Sequence, residues 1–126
     1  MKRTTFYRCA KCGNIVVKYV DGGGELVCCG EPMAIIDPNT TDAAQEKHVP
    51  AVTVDGDKII VNVGSVDHPM EEKHFIQWIY VVTEDGVIAR CLNPGDAPRA
   101  EIVLGGQKPI EVYEYCNLHG LWKTVL

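Results

Sequence analysis

Four cysteines near the N-terminus have the type and spacing of a metal site, namely Cys9, Cys12, Cys28 and Cys29. Two residues separate the first pair, and such a turn places both thiolates on one side of a metal ion. A distant second pair completes a tetrahedron around the ion. Because Cys28 and Cys29 are adjacent, we expect their S–metal–S angle to be strained. Tetrahedral thiolate sites accept zinc and iron alike, so a structural zinc and a redox-active iron both stay open.

A second group of candidate ligands contains every histidine of the chain and one cysteine: His48, His68, His74, His119 and Cys116. Two residues separate Cys116 from His119, which is ligand spacing on a turn. Five such ligands do not fit a structural zinc site, which is tetrahedral. They fit a square pyramid with four nitrogens in the plane, the sulfur on the axis and a sixth position open. Because an axial thiolate pushes electron density towards whatever binds opposite it, the pattern predicts a redox-active iron that binds a small molecule.

The chain that positions these ligands has 126 residues. This length suits one domain, or a small module joined to a domain of about 90 residues. Residues 1–36 contain four cysteines and no histidine, whereas residues 37–126 contain all four histidines. We therefore place a domain boundary in the polar stretch that begins at Asp37-Pro38. In the first segment, short strands at residues 15–20 and 25–27 flank a glycine-rich turn, and so small a segment needs a metal to stabilise its fold.

The second segment is almost wholly β in character. Candidate strands lie at residues 49–54, 58–63, 75–83, 87–92, 100–104 and 110–115, separated by glycine-containing turns. Several short strands with regular turns predict an antiparallel β-sandwich. Only residues 42–47 have a helical pattern. The candidate ligands fall at strand ends and in loops, where a rigid sandwich presents side chains.

Composition excludes several classes of protein. Apolar residues make up 46% and charged residues 23% of the chain, which is typical of a folded domain. The net charge of −5, without a basic cluster, argues against a nucleic-acid partner. No apolar run approaches the ~20 residues of a membrane-spanning helix, and the N-terminus lacks the apolar segment of a signal peptide. We therefore expect a cytoplasmic protein whose six cysteines are reduced rather than paired in three disulfides.

The motifs around these residues resemble those of desulfoferrodoxin, the two-iron class of superoxide reductase. They are Cys9-Ala10-Lys11-Cys12-Gly13-Asn14-Ile15-Val16, Leu26-Val27-Cys28-Cys29-Gly30-Glu31-Pro32-Met33, Glu46-Lys47-His48-Val49-Pro50, Gly64-Ser65-Val66, His68-Pro69-Met70-Glu71-Glu72-Lys73-His74, Pro94-Gly95-Asp96-Ala97-Pro98 and Tyr115-Cys116-Asn117-Leu118-His119-Gly120. The resemblance covers essentially the whole chain. No ligand position departs from the family pattern.

The resemblance implies a mostly β chain of two parts. Residues 1–36 would form a desulforedoxin/rubredoxin-like module with an Fe(Cys)4 centre, and residues 37–126 an immunoglobulin-like antiparallel β-sandwich with a non-haem Fe(His)4(Cys) centre. The implied ligands are the four cysteines and the five residues grouped above. The family also implies a homodimer, the one-electron reduction of superoxide to hydrogen peroxide, and rubredoxin as a common electron donor.

Two residues beside His48 are candidate catalytic groups. Superoxide is an anion and the protein is net negative, so a local positive charge is needed to guide it, and Lys47 is the best candidate. The resemblance implies that the carboxylate of Glu46 can occupy the sixth position of the ferric iron after turnover.

Three other functions compete with this interpretation. One is a plain electron carrier similar to rubredoxin, in which only the four-cysteine module matters. Another is a superoxide dismutase, which needs no outside electron. The last is a zinc-stabilised binding module without a redox role, which would be colourless.

Three further residues are predicted to have no part in either site. Cys91 lacks a motif partner and is expected to be a strand cysteine that is buried or half-buried. Trp78 and Trp122 are expected to be aromatic residues of the core or its rim rather than cofactor contacts.

Overall fold

The computed structural model describes residues 4–126. The expectation that the N-terminus is not a signal peptide concerns in part residues 1–3, which lie outside the described residues. The chain divides into two compact units, Met1–Asp37 and Pro38–Leu126. Within the described residues, no helix is both long and apolar enough to span a membrane.

The first unit contains five short strands: β1 (Phe6–Arg8), β2 (Ile15–Val17), β3 (Val27–Cys28), β4 (Glu31–Pro32) and β5 (Ala34–Ile36). Strand β1 lies between β2 and β5 in one antiparallel sheet, and β3 pairs with β4 in a second. The predicted strand at residues 15–20 ends early, because β1 is three residues long and its pairing stops at Phe6 opposite Val17. The predicted strand at residues 25–27 is displaced to Val27–Cys28.

The second unit begins with the short helix α1 (Gln45–His48) and continues with seven strands. These are β6 (Pro50–Asp55), β7 (Lys58–Val63), β8 (Ile76–Thr83), β9 (Val87–Cys91), β10 (Arg99–Val103), β11 (Pro109–Cys116) and β12 (Gly120–Val125). One sheet has the order β10-β7-β6 and the other β12-β11-β8-β9, with antiparallel neighbours throughout. The predicted mostly β, immunoglobulin-like sandwich is confirmed.

The core of this unit follows from alternation along its strands. In β7, Ile59, Val61 and Val63 are buried, and in β10 Ala100 and Ile102 are buried between exposed neighbours. The four-stranded sheet contributes Ile76, Ile79, Val81, Val112 and Cys116 to the same cluster. Burial of each large aliphatic side chain contributes about 1.5–3 kcal/mol, so the sandwich is a rigid frame for its loops.

Strand β12 was not predicted from the sequence. Only Leu121 and Trp122 of this strand are buried, and its other residues are half-buried or exposed. The apolar alternation is therefore weak, and pairing with β11 from Glu111 to Cys116 defines the strand instead. The predicted helix at residues 42–47 begins later, at Gln45, and ends at His48.

The prediction that Cys91 is buried or half-buried is wrong, because its side chain is exposed. Cys91 is the last residue of β9, which is the edge strand of its sheet. Cys91 pairs with Trp78 of β8, and among residues 4–126 no strand pairs with the other side of β9. The sequence identified the strand but not its place at the edge.

Candidate metal centres

The first unit gathers four thiols in one place. The sulfurs of Cys9, Cys12, Cys28 and Cys29 all lie within 4.8 Å of one another, and none is in a disulfide. Cys9 follows β1 and is buried, whereas Cys29 follows β3 with a positive φ of 53°. This left-handed conformation turns the second of two adjacent cysteines back towards the same point.

Backbone amides point at these sulfurs. The N–H of Cys12 donates to Cys9 Sγ at 3.5 Å, and the N–H of Asn14 donates to Cys12 Sγ at 3.4 Å. Hydrogen bonding from the Cys12 backbone lowers the pKa of Cys9 to about 6, whereas hydrogen bonding to the Cys12 side chain raises the pKa of Cys29 to about 12. One thiol therefore loses its proton while its neighbours keep theirs, unless a cation stabilises all four thiolates.

The second unit gathers four imidazoles and one thiol. Their ligand atoms also lie within 4.8 Å of one another, and they belong to His48, His68, His74, Cys116 and His119. Four of them lie at or just before the ends of elements: His48 ends α1, His74 lies two residues before β8, Cys116 ends β11 and His119 directly precedes β12. His68 lies in the connection after β7 and is tied back to it, because its N–H donates to Val63 O at 2.8 Å.

The four imidazole rings form a closed square. Neighbouring ring centroids are 4.7 Å (His48–His68), 4.6 Å (His68–His74), 5.0 Å (His74–His119) and 4.9 Å (His119–His48) apart. Every neighbouring pair is edge-to-face, with interplanar angles from 74° to 88°. His48 therefore faces His74 across the square, and His68 faces His119. Cys116 Sγ lies 3.4 Å from His68 Nε2 and 3.9 Å from His119 Nδ1.

Two of the ring nitrogens at the centre of the square act as lone-pair donors. Nδ1–H of His48 donates to Ala44 O at 2.7 Å, and Nδ1–H of His68 donates to Pro69 O at 2.6 Å. These tautomers leave lone pairs on both Nε2 atoms, which are only 3.1 Å apart, and His119 Nδ1 lies 3.1 Å from that of His48. His74 Nε2 is buried without a hydrogen-bond partner in the described part of the chain. Converging nitrogens of this kind, one of them without a partner, fit a metal ion.

Burial favours the neutral, ligating form of three of the imidazoles. His48 and His68 are almost fully buried, and burial lowers the pKa of His48 and His74 and lowers that of His68 to about 4. Burial also raises the pKa of Cys116, and the backbone N–H groups of Leu118 and His119 partly oppose this by hydrogen bonding to the sulfur. The same N–H groups would stabilise a metal-bound thiolate.

Trp122 touches two of these histidines. Its ring stacks on that of His48 with a centroid distance of 5.0 Å and an interplanar angle of 26°. Its Nε1–H donates to His119 O at 3.1 Å. Trp122 is a buried core residue as predicted, but its stacking on His48 could not be predicted, because these two residues are far apart in the chain. Trp78 is half-buried and stacks on Tyr115.

Glu46 and Lys47 are exposed beside the histidine square. The charge of Glu46 raises the pKa of His48 and that of Lys47 lowers the pKa of His74, although burial is the larger cause at both rings. The charges of Glu46 and Lys47 therefore change the pKa values of two imidazoles of the site. No ion pair holds Lys47 within residues 4–126, so its ammonium stays available.

The motif Gly64-Ser65-Val66 contacts α1, the helix that carries Glu46 and Lys47. The N–H of Val66 donates to Glu46 O at 2.8 Å, and Ser65 Oγ donates to the same oxygen at 3.3 Å. A Cβ atom on Gly64 would lie 2.6 Å from Glu46 O and 2.9 Å from Val49 O. Only glycine fits this close approach, and the sequence alone did not explain the motif.

The fold and the sites define a class of two-site metalloprotein, with one four-thiolate centre and one centre of four imidazoles and a thiolate. The desulfoferrodoxin family model matches residues 40–125, and the model of the desulfoferrodoxin N-terminal domain matches residues 1–36. The chain therefore belongs to the desulfoferrodoxin family. Its two donor groups match the two iron sites of that family, Fe(Cys)4 and Fe(His)4(Cys), as predicted.

Similar proteins agree with this assignment. Desulfoferrodoxin of Syntrophotalea carbinolica is 54% identical over 120 residues, covering 94% of this chain and 93% of its own. Desulfoferrodoxin of Nitratidesulfovibrio vulgaris is 51% identical over 118 residues, with coverage of 94% and 93%. The crystal structure of the superoxide reductase from Treponema pallidum superimposes with a TM-score of 0.81 at 33% identity, covering 98% of this chain and 99% of that one. The superoxide reductase of Giardia intestinalis has a TM-score of 0.52 at 32% identity, covering 64% and 97%.

Proposed function

We propose that this chain is a superoxide reductase, which takes up superoxide, one electron and two protons and releases hydrogen peroxide. The observation that carries the proposal is the square of four imidazoles with the Cys116 sulfur beside it, since this set leaves one coordination position for a small molecule. The names of the similar structures support the same activity.

We assign the metal ligands as follows. Cys9, Cys12, Cys28 and Cys29 hold the iron of residues 1–36, and His48, His68, His74, His119 and Cys116 hold the iron of residues 37–126. The second set would hold a ferrous ion, which would supply the electron that superoxide takes. Cys116 would provide its thiolate to that ion, and the backbone N–H groups of Leu118 and His119 moderate the charge on the sulfur.

The chain's own charges act on the substrate before and after this step. Lys47 attracts the superoxide anion to a protein whose net charge is −5, because its ammonium is exposed and unpaired among the described residues. Glu46 is exposed on the same turn of α1, and its carboxylate would bind the oxidised ion after peroxide leaves. Water supplies the two protons.

The wider setting is also proposed. The chain works in the cytoplasm as a homodimer in defence against oxidative stress, with rubredoxin as electron donor. Six free cysteines support a reducing compartment, and the exposed Tyr19, Val20, Val27 and Ile35 of the first unit support burial against a second copy.

Metal analysis and transient kinetics test the proposal together. We expect two iron ions per chain, visible absorption from both thiolate centres, and one second centre oxidised for each superoxide consumed, with no further loss until a donor is added. Continued loss of superoxide without a donor would identify a dismutase. Electron exchange with rubredoxin but no reaction with superoxide would identify an electron carrier. Colourless protein containing only zinc would exclude all three redox functions.

A further inference from the structure

The ring of His74 is fixed differently from two of the other three rings. His48 and His68 each donate an Nδ1–H to a backbone carbonyl, which sets the orientation of the ring. Within residues 4–126, no hydrogen bond holds the ring of His74, and its Nε2 is buried without a partner. Its orientation therefore depends on the backbone on either side of it.

Asn117 holds that backbone on both sides. The N–H of Phe75 donates to Asn117 Oδ1 at 2.9 Å, and Asn117 Nδ2 donates to Lys73 O at 3.0 Å. The backbone N–H of Asn117 donates to Phe75 O at 3.2 Å. One side chain thus binds the residue before His74 and the residue after it.

The position of Asn117 in the chain shows which two segments its side-chain bonds connect. Asn117 lies on the turn between Cys116 and His119, so its bonds connect two ligand-bearing segments that are 42 and 44 residues apart in sequence. On its other side, Glu71 and His74 exchange backbone hydrogen bonds of 2.9 and 3.0 Å, and Met70 O accepts a bond of 2.8 Å from the Gly95 N–H. Pairing of Ile76 with Cys116 holds the start of β8, and Asn117 adds the side-chain bonds that join the backbone on both sides of His74 to the Cys116–His119 turn.

We propose that Asn117 is a positioning residue of the second metal centre, which holds the His74 imidazole in the square through the backbone of Lys73 and Phe75. The inference rests on the proposed ligand set but not on the reaction with superoxide. Groups that orient metal ligands without touching the metal typically contribute 10- to 100-fold to metal affinity.

A matched pair of substitutions tests the role. In Asn117→Asp, the acceptor for the Phe75 N–H remains, but a carboxylate oxygen replaces the donor to Lys73 O. Asn39 offers the same chemistry without a bond to a residue adjacent to a ligand, because its Nδ2 donates to Lys123 O at 3.1 Å and its Oδ1 accepts from the Lys123 N–H at 2.8 Å. Asn39→Asp is therefore the control, and its positive φ of 62° is tolerated by aspartate. Asn117→Ala removes both bonds without adding charge.

The measurements are cobalt(II) affinity at the second centre, by competition with a chelator, and the ferric electron paramagnetic resonance spectrum of the iron-loaded protein. We expect both Asn117 variants to bind cobalt(II) about 10- to 100-fold more weakly and to change the symmetry of the ferric signal. Asn39→Asp should keep the native affinity and spectrum even where it lowers thermal stability equally. Native affinity in the Asn117 variants, or an equal loss in Asn39→Asp, would overturn the role. Native protein that binds cobalt(II) tightly but does not react with superoxide would overturn only the proposed function.

Discussion

The Nε2 atoms of His48 and His68 lie 3.1 Å apart, and neither carries a proton to share. Each ring has its Nδ1–H committed to a backbone carbonyl, and burial lowers the pKa of both rings, so protonation does not relieve the contact. Two lone pairs in a buried site repel each other. A cation between them turns this repulsion into two bonds, which couples metal binding to the stability of the sandwich.

Removal of the metal from the second centre should therefore destabilise the second unit. Binding to the folded state alone stabilises a protein by about 2.7 kcal/mol when free metal is 100 times Kd. For a unit of this size we expect Tm to fall by roughly 10–20 °C on chelation, as measured by calorimetry. Readdition of ferrous iron should restore it. An unchanged Tm after complete removal of the metal would contradict this coupling.

Gly64→Ala should disturb the helix that carries His48. The new Cβ would lie 2.6 Å from Glu46 O, so either the helix or the turn must move. We expect a loss of about 1–3 kcal/mol in the free energy of unfolding and a slower reaction with superoxide. Gly86→Ala is the control, because its nearest neighbour would be a side-chain atom 3.9 Å away. Denaturant unfolding and stopped-flow kinetics give the two readouts. Equal behaviour of the two variants would show that Gly64 has no such role.

Much of the frame could be predicted from local sequence. The predicted strand at residues 58–63 has the observed bounds of β7, because four of its six residues are β-branched. All four histidines and five of the six cysteines stand in short motifs, so the two donor groups could also be predicted. Local composition is therefore enough to predict both a strand and a group of metal donors.

What could not be predicted depends on contacts between distant residues. Cys91 is exposed because β9 lies at a sheet edge. The position of a strand within its sheet cannot be predicted from the residues of that strand alone. The stacking of Trp122 on His48 and the close approach of Gly64 to Glu46 likewise join separate parts of the chain. The sequence therefore indicated the two donor groups but not the residues that orient them.

Lys47→Ala should slow the capture of superoxide and reduce its dependence on salt. An exposed ammonium beside the site raises the local concentration of an anion, and salt screens this attraction over about 10 Å at 0.1 M. We expect the second-order rate constant at low salt to fall roughly 3- to 10-fold, with little difference from native protein at high salt.

Lys108→Ala provides the control for this variant. Lys108 is also exposed, but the N–H of Glu84 donates to its carbonyl beside the Thr83 end of β8, whereas the metal ligands lie near the Ile76 end. An eight-residue strand spans roughly 25 Å, which is beyond effective steering distance. Pulse radiolysis at several ionic strengths should give the native salt slope for Lys108→Ala and a shallower one for Lys47→Ala. Equal slopes in the two variants would refute steering by Lys47.

Asn14→Ala should lower the reduction potential of the first centre. Asn14 Nδ2 donates to Cys28 Sγ at 3.6 Å, and a hydrogen bond to a metal-bound sulfur favours the reduced centre, which carries one more negative charge. The backbone N–H of Asn14 still donates to Cys12 Sγ in the variant, so only one bond is lost. A loss of about 0.5–1 kcal/mol corresponds to a one-electron shift of roughly 20–40 mV. Spectroelectrochemistry of the iron-loaded protein measures both centres in one sample, and the potential of the second centre serves as the internal control. A shift of both potentials by the same amount, or of neither, would rule out a specific effect of the Asn14 amide on Cys28.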